Sequence, residues 1–138
     1  MTLPMVVRDP SLPARVTIWE VGPRDGLQNE SGVINTATKI ELIDRLADAG
    51  LGIVEATSFV RPDRVPQLAD AREVMAGIAR RDGVRYPALV PNMRGLESAL
   101  DAEVTDIAIF ASATETFAER NLGRGYDAQW EMFAPVVA

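Results

Sequence analysis

Short runs that are apolar throughout alternate with longer stretches of helical spacing, and the alternation occurs four times. Residues 16–20 (VTIWE) are β-branched and aromatic and are closed by Gly22-Pro23, which marks a strand. Asn35 or Thr36 can cap the helix that follows. In it Ile40, Ile43, Leu46 and Ala47 recur at helical intervals until Gly50 supplies a stop. The spacing predicts a second strand over 53–56. A second helix is predicted over 66–81, with Leu68, Ala71, Met75, Ile78 and Ala79 on one face and Asp82-Gly83 at its end. A third strand is expected at 86–90, a short helix marked by Met93, Leu96 and Leu100, and a fourth strand at 106–111. From about Thr114 the pattern is helical again, anchored by Phe117, Trp130, Met132 and Phe133 and interrupted near 122–125. Strands without polar alternation, separated by amphipathic helices, imply a parallel sheet covered by helices.

Two architectures satisfy this order: an open doubly wound sheet, or part of a (β/α)8 barrel. The first loop reads VGPRDG, not the GxGxxG with which doubly wound sheets hold phosphate. A whole barrel takes about 250 residues, whereas this chain has 138 and stops at Pro135-Val136-Val137-Ala138 without polar capping. Periodicity leaves both open. No linker divides the chain, so one domain is expected over 16–138, behind an irregular leader at 1–15 that contains Pro4, Pro10 and Pro13.

Charge and composition narrow the function classes. The net charge is −6, which argues against a nucleic-acid binder, since those usually carry a basic face. There is no cysteine, so disulfides and thiolate metal sites are ruled out. There is also no histidine, the commonest metal ligand and general base near neutral pH. No apolar run approaches the ~20 residues that span a bilayer, and the proline-bearing leader does not read as a signal or transit peptide. A cytoplasmic protein without a membrane partner is expected.

In parallel α/β folds the site forms at the C-terminal ends of the strands. Those ends carry Arg24, Asp25, Gln28, Asn29 and Glu30 after the first strand, and Glu55, Thr57 and Ser58 at the second. Asn92 follows the third, and Ser112 and Glu115 follow the fourth. Arg24 and Asp25 can be a solvated turn with an internal ion pair, but Gly22, Pro23 and Gly26 around them fix backbone geometry that such a turn does not need. Glu55 interrupts an apolar strand, and a buried carboxylate is costly unless paired or coordinating. A structural salt bridge, to Arg24 or another residue, competes evenly with a catalytic role. Gly123-Arg124-Gly125 follows no strand and reads as a loop, and the charges on the helices read as solvated surface.

Four segments carry a resemblance. VGPRDGLQNE (21–30), VEATSFVRPDRVPQLAD (54–70), YPALVPN (86–92) and IFASATETFAERNL (109–122) closely resemble the hydroxymethylglutaryl-CoA lyase family, in the family's order. Wider relatives, the isopropylmalate synthase-like and other metal-dependent Claisen and aldol enzymes, share an arginine-aspartate pair after the first strand but not usually this context. The resemblance implies the N-terminal half of a TIM (β/α)8 barrel of the pyruvate carboxyltransferase type, about four βα units long. It implies a divalent cation, Mg²⁺ or Mn²⁺, and cleavage of 3-hydroxy-3-methylglutaryl-CoA into acetyl-CoA and acetoacetate, late in leucine degradation. Asp25 matches the metal-ligand aspartate and Arg24 the arginine that contacts substrate and stabilises developing negative charge. Glu55 matches an active-site glutamate, and Gln28 and Ser58 are further substrate-binding candidates. The bottom-up chemistry agrees: the cleavage leaves an enolate, which a fixed cation stabilises. Arg24 can bind an oxyanion through two donors, and a carboxylate suits a hard cation.

The family's other ligands, two histidines and an asparagine, and the cysteine of its glycine-rich loop, would lie beyond position 138. One carboxylate alone does not make an ordered metal site. The expectation is therefore a truncated chain, inactive alone and marginally folded, aggregated or paired with a second copy, whose complete protein is a homodimer acting on an acyl-CoA. Two alternatives remain: a sister carbon-carbon enzyme with another substrate, and a non-catalytic half-barrel that partners a full-length enzyme.

Overall fold

A computed structural model describes residues 9–138; of the expected leader, residues 1–8 lie outside the described residues. Three parallel strands, β1 (Thr57–Ser58), β2 (Ala88–Leu89) and β3 (Ile107–Ala108), lie in the order β1-β2-β3. Thr57 stands opposite Ala88, and Ala88 opposite Ile107. Upstream of these, isolated parallel bridges join Glu20 to Val54 and Ile53 to Arg85, so four chain segments run side by side in sequence order. Between and after them lie α1 (Thr36–Asp48), α2 (Ala71–Gly77), α3 (Met93–Asp101), α4 (Glu115–Leu122) and α5 (Tyr126–Val137). The parallel α/β expectation holds.

The ladders are shorter than the apolar runs, for local reasons. Residue 87 is proline and has no N–H to give, so it joins the ladder only through its carbonyl, which accepts from the Ala56 N–H at 2.8 Å. The strand expected at 16–20 pairs only at Glu20, with Val16 75% exposed. Its neighbour cannot continue the ladder backwards, because that chain turns at Gly50, which has a φ of +94°. The second helix is also shorter than 66–81. Pro66–Leu68 forms a 3₁₀ turn, α2 begins at Ala71, and Ile78 is already extended. Beyond it Asp44 accepts the Ala79 N–H at 3.0 Å, so Ala79 lies outside the expected buried face.

Helix ends follow the sequence closely. Asn35 caps α1 by accepting from the Thr38 N–H, and α4 stops at Gly123, which takes the left-handed conformation. Ile43 and Ala47 of α1, Val74 and Met75 of α2, and Val54, Ala56, Ala88 and Val90 form the core between sheet and helices. The expected short helix is α3, in which Leu96 packs partly against the core, Met93 and Leu100 are exposed, and Gly95 and Ala99 face inward. Gly95 is needed there, because a Cβ would come within 2.8 Å of the Pro91 ring and 3.0 Å of the Phe59 carbonyl.

The reading of helix charges as solvated surface fails at Lys39, which is 2% exposed. Its Nζ donates to Asp70 Oδ1 and to the Gln67 carbonyl, each at 2.5 Å, while Thr36 Oγ1 donates to Asp70 Oδ2 at 2.6 Å. Helical spacing cannot reveal this, because the partners come from the 66–70 turn. Burial alone would raise the Asp70 carboxyl pKa, but the hydrogen bonds from Lys39 and Thr36 outweigh it and hold it below the usual carboxylate value. A carboxyl depressed in the folded state contributes stability above its unfolded value, about pH 4, and loses that contribution as pH falls through the folded value. Lys39→Met should therefore flatten the acid limb. Urea midpoints measured near pH 6 and about pH 3 should differ less in the variant than in the parent. An unchanged difference would mean that the pair does not govern acid sensitivity.

Candidate active site

The first loop is built to present two charges. Its N–H groups at Arg24, Asp25 and Gly26 all turn back onto the Val21 carbonyl, at 3.1, 2.7 and 3.3 Å, forming a π-helical turn at Gly22–Gly26. Glu20 Oε1 accepts the Gly22 N–H at 2.6 Å, and a Cβ at Gly22 would meet that same oxygen at 2.8 Å, so glycine is needed for this closure. The turn holds Arg24 between two carboxylates. Its Nε donates to Glu55 Oε1 at 2.5 Å and its Nη1 to Asp25 Oδ1 at 2.7 Å. The two acids differ sharply in setting: Glu55 is 4% exposed, whereas the Asp25 side chain is 53% exposed.

Glu55 is fully engaged. Its second oxygen accepts from Trp19 Nε1 at 2.8 Å. The Arg85 guanidinium lies 5.8 Å from the Trp19 ring centroid and pairs with Asp106 at 2.6 Å, within the range of a cation–π contact. Sequence reasoning missed Trp19; the available signal was an indole in a short strand, since a half-buried tryptophan usually finds an acceptor for its N–H. Of the two readings of Glu55, the structure contains the salt bridge to Arg24, and the buried acid fixes the arginine's direction.

Arg24, Asp25, Gln28 and Asn29 line a cavity of about 820 Å³ that also reaches Leu89 at the end of β2 and Phe110 just beyond β3. It therefore opens at the C-terminal ends of the strands. Ser58 is buried; its Oγ accepts from the Val60 N–H at 3.2 Å, and it lines a second cavity of about 440 Å³ that shares Val60, Arg61 and Pro91 with the first. The other rim candidates serve the scaffold. Asn92 Oδ1 caps α3 through the Gly95 N–H, and Glu115 Oε2 accepts the Tyr126 N–H at 2.8 Å. The Ser112 backbone is clamped by Gln129 at 2.8 and 3.0 Å. The Oγ atoms of Thr57 and Ser112 are buried without partners among the described residues.

A cation would find one ligand here. Asp25 Oδ1 is taken by Arg24, while Oδ2 accepts no hydrogen bond among the described residues and lies on the exposed side chain facing the cavity. Among the described residues no group of three His, Cys, Asp or Glu side chains is placed to hold a metal. The donor chemistry fits a hard divalent ion at a single position and does not complete its shell.

A parallel α/β scaffold that brings a carboxylate-locked arginine to a cavity at its strand ends has charged groups where such folds place their ligand sites. The comparison with known proteins gives the family. A sequence profile of the HMGL-like family matches residues 15–138, and the chain belongs to that family. It is 50% identical over 127 residues to the 3-hydroxy-3-isohexenylglutaryl-CoA/hydroxy-methylglutaryl-CoA lyase of Pseudomonas aeruginosa, covering 92% of this chain and 42% of that protein. The crystal structure of the HMG-CoA lyase from Brucella melitensis superposes with a TM-score of 0.86 at 54% identity, covering 88% of this chain and 43% of that one. An HMG-CoA lyase from Acinetobacter baumannii, solved with coenzyme A and 3-methylmalate, matches with a TM-score of 0.83 at 36% identity, over 88% of this chain and 40% of that one. The chain thus spans about two fifths of the length of these relatives. Among the described residues no helix is long and apolar enough to cross a membrane.

Proposed function

We propose that residues 16–138 form the first four βα units of a TIM barrel and supply one side of the active site of a hydroxymethylglutaryl-CoA lyase. The observation that carries this is Arg24, held by buried Glu55 beside exposed Asp25 at the mouth of the strand-end cavity. In the proposed reaction the C–C bond next to the hydroxyl-bearing carbon breaks. A base from the rest of the enzyme takes the hydroxyl proton, the carbonyl of acetoacetate forms, and the electron pair is left as the enolate of acetyl-CoA, which then takes up a proton at carbon. Arg24 lies beside that enolate oxygen and lowers the barrier by placing fixed positive charge where negative charge develops. Glu55 keeps the guanidinium aimed, and because its oxygens are already bonded to Arg24 and Trp19 it acts as a positioning residue.

Gln28 contributes a neutral polar contact on the same wall. Ser58 lines the second cavity and not this one, so the substrate contact expected of it is not carried forward. Asp25 would hold Mg²⁺ or Mn²⁺ together with ligands from the rest of the enzyme, and a divalent cation there would supply charge that acidifies the substrate's hydroxyl. The complete enzyme is proposed to be a homodimer.

The test is acetoacetate release from 3-hydroxy-3-methylglutaryl-CoA with Mg²⁺, comparing this chain with a version extended to the length of its relatives. Turnover is expected only in the extended protein. Turnover in neither would remove the lyase reading, and turnover in the short chain would overturn the need for further ligands. A sister substrate is the second reading, favoured by the Pseudomonas relative, whose name covers two glutaryl-CoA compounds differing in the group at C3.

A further inference from the structure

The cavity at the strand ends carries the opposite sign to the chain around it. Four arginines line it, Arg24, Arg61, Arg64 and Arg120, against a single acid, Asp25, in a chain whose net charge is −6. Clustered like charge in a concave site concentrates counter-ions far more than the molecule's overall charge suggests. The four are not equivalent. Arg24 has already committed its Nε and Nη1. Arg61 is neutralised by a two-pronged pair with Asp63, at 2.9 and 2.6 Å. Arg64 and Arg120 line the cavity and form no ion pair or side-chain hydrogen bond among the described residues, so the donors of each are uncommitted. They reach it from different elements, Arg64 from the turn after β1 and Arg120 from α4.

Resting on the acyl-CoA reading above, we propose that Arg64 and Arg120 are binding residues for the phosphate groups of the acyl carrier, leaving Arg24 for the reacting end. A phosphate presents several acceptor oxygens and pairs with an arginine fork through two parallel bonds, which suits uncommitted guanidiniums. Separating the duties also keeps the highly charged carrier from competing for the one arginine whose direction Glu55 fixes.

The experiment is titration calorimetry of the full chain with four probes: coenzyme A, dephospho-coenzyme A, adenosine 3′,5′-bisphosphate and glutarate, a dicarboxylate without phosphate. Arg64→Gln and Arg120→Gln are each expected to weaken coenzyme A by about tenfold, the scale of one charge-assisted hydrogen bond, and to leave glutarate unchanged. Both side chains are exposed, so thermal unfolding should not move. Retention of the effect with dephospho-coenzyme A assigns the arginines to the diphosphate, and its loss assigns them to the 3′-phosphate. If glutarate weakens instead, the arginines serve carboxylates and the proposal is overturned, as it is if no probe responds. If coenzyme A fails to bind the parent while the bisphosphate binds and responds, the phosphate arm stands and the acyl-CoA reading falls.

Discussion

Replacing Arg24 by glutamine, in a protein extended to the length of its relatives, is expected to lower kcat by about three orders of magnitude. The structure gives two reasons for so large an effect. Arg24 is the one cavity arginine fixed on both sides, by Glu55 Oε1 at 2.5 Å and Asp25 Oδ1 at 2.7 Å, so its charge is in place before the reaction begins. Preorganised charge in a site shielded from water is worth more than the same charge on a mobile side chain. Glutamine keeps an N–H for Glu55 but not the positive charge, so part of the buried pair's stabilisation is lost, and kcat is read on protein that circular dichroism shows to be folded, where the proposed enolate lacks its counter-charge. Steady-state kinetics decide the matter: kcat within tenfold of the parent would mean that Arg24 is a scaffold residue only.

Removing the other half of the pair should act mainly on stability. Glu55→Ala leaves the Arg24 guanidinium, itself only 13% exposed, without a counter-charge and leaves the Trp19 N–H without an acceptor. Breaking such a buried pair from one side typically costs about 3–5 kcal/mol, which in a domain of this size is a large share of the total. Glu55→Gln preserves the volume but only one of the two acceptor oxygens, so it keeps one hydrogen bond and should cost less than Glu55→Ala, both values coming from urea unfolding. The same two variants test the positioning role. If Glu55 only aims Arg24, then Glu55→Gln lowers kcat without removing a limb of its pH profile. Disappearance of a limb would make Glu55 a proton carrier instead.

Much of the local structure was legible because its causes are local. Asn35 and Gly50 bracket α1 and Gly123 ends α4, since capping and left-handed backbone depend on one residue and its near neighbours. The loop Gly22-Pro23-Arg24-Asp25-Gly26 was readable as a purpose-built turn on the same grounds. Where the sequence reading failed, the cause was a partner distant in the chain. Lys39 appeared to be a surface charge until Asp70 and the Gln67 carbonyl met it. On α3 the close approach of Pro91 and Phe59 puts Gly95 on the inner face, which no spacing of apolar residues signals. Asn92 and Glu115 appeared to be rim chemistry, yet backbone N–H groups at helix starts claim both.

From the sequence alone came the βα order, the parallel sheet, and Arg24, Asp25 and Gln28 at one strand end, because hydrophobic period and turn chemistry are written in consecutive residues. Only the tertiary structure decided that Glu55 is spent on Arg24 and Trp19, and that Arg64 and Arg120 face the same cavity while Arg61 is neutralised. The ion pair across 31 positions and the indole hydrogen bond across 36 depend on where the sheet brings strands together, and no periodicity along the chain encodes that distance.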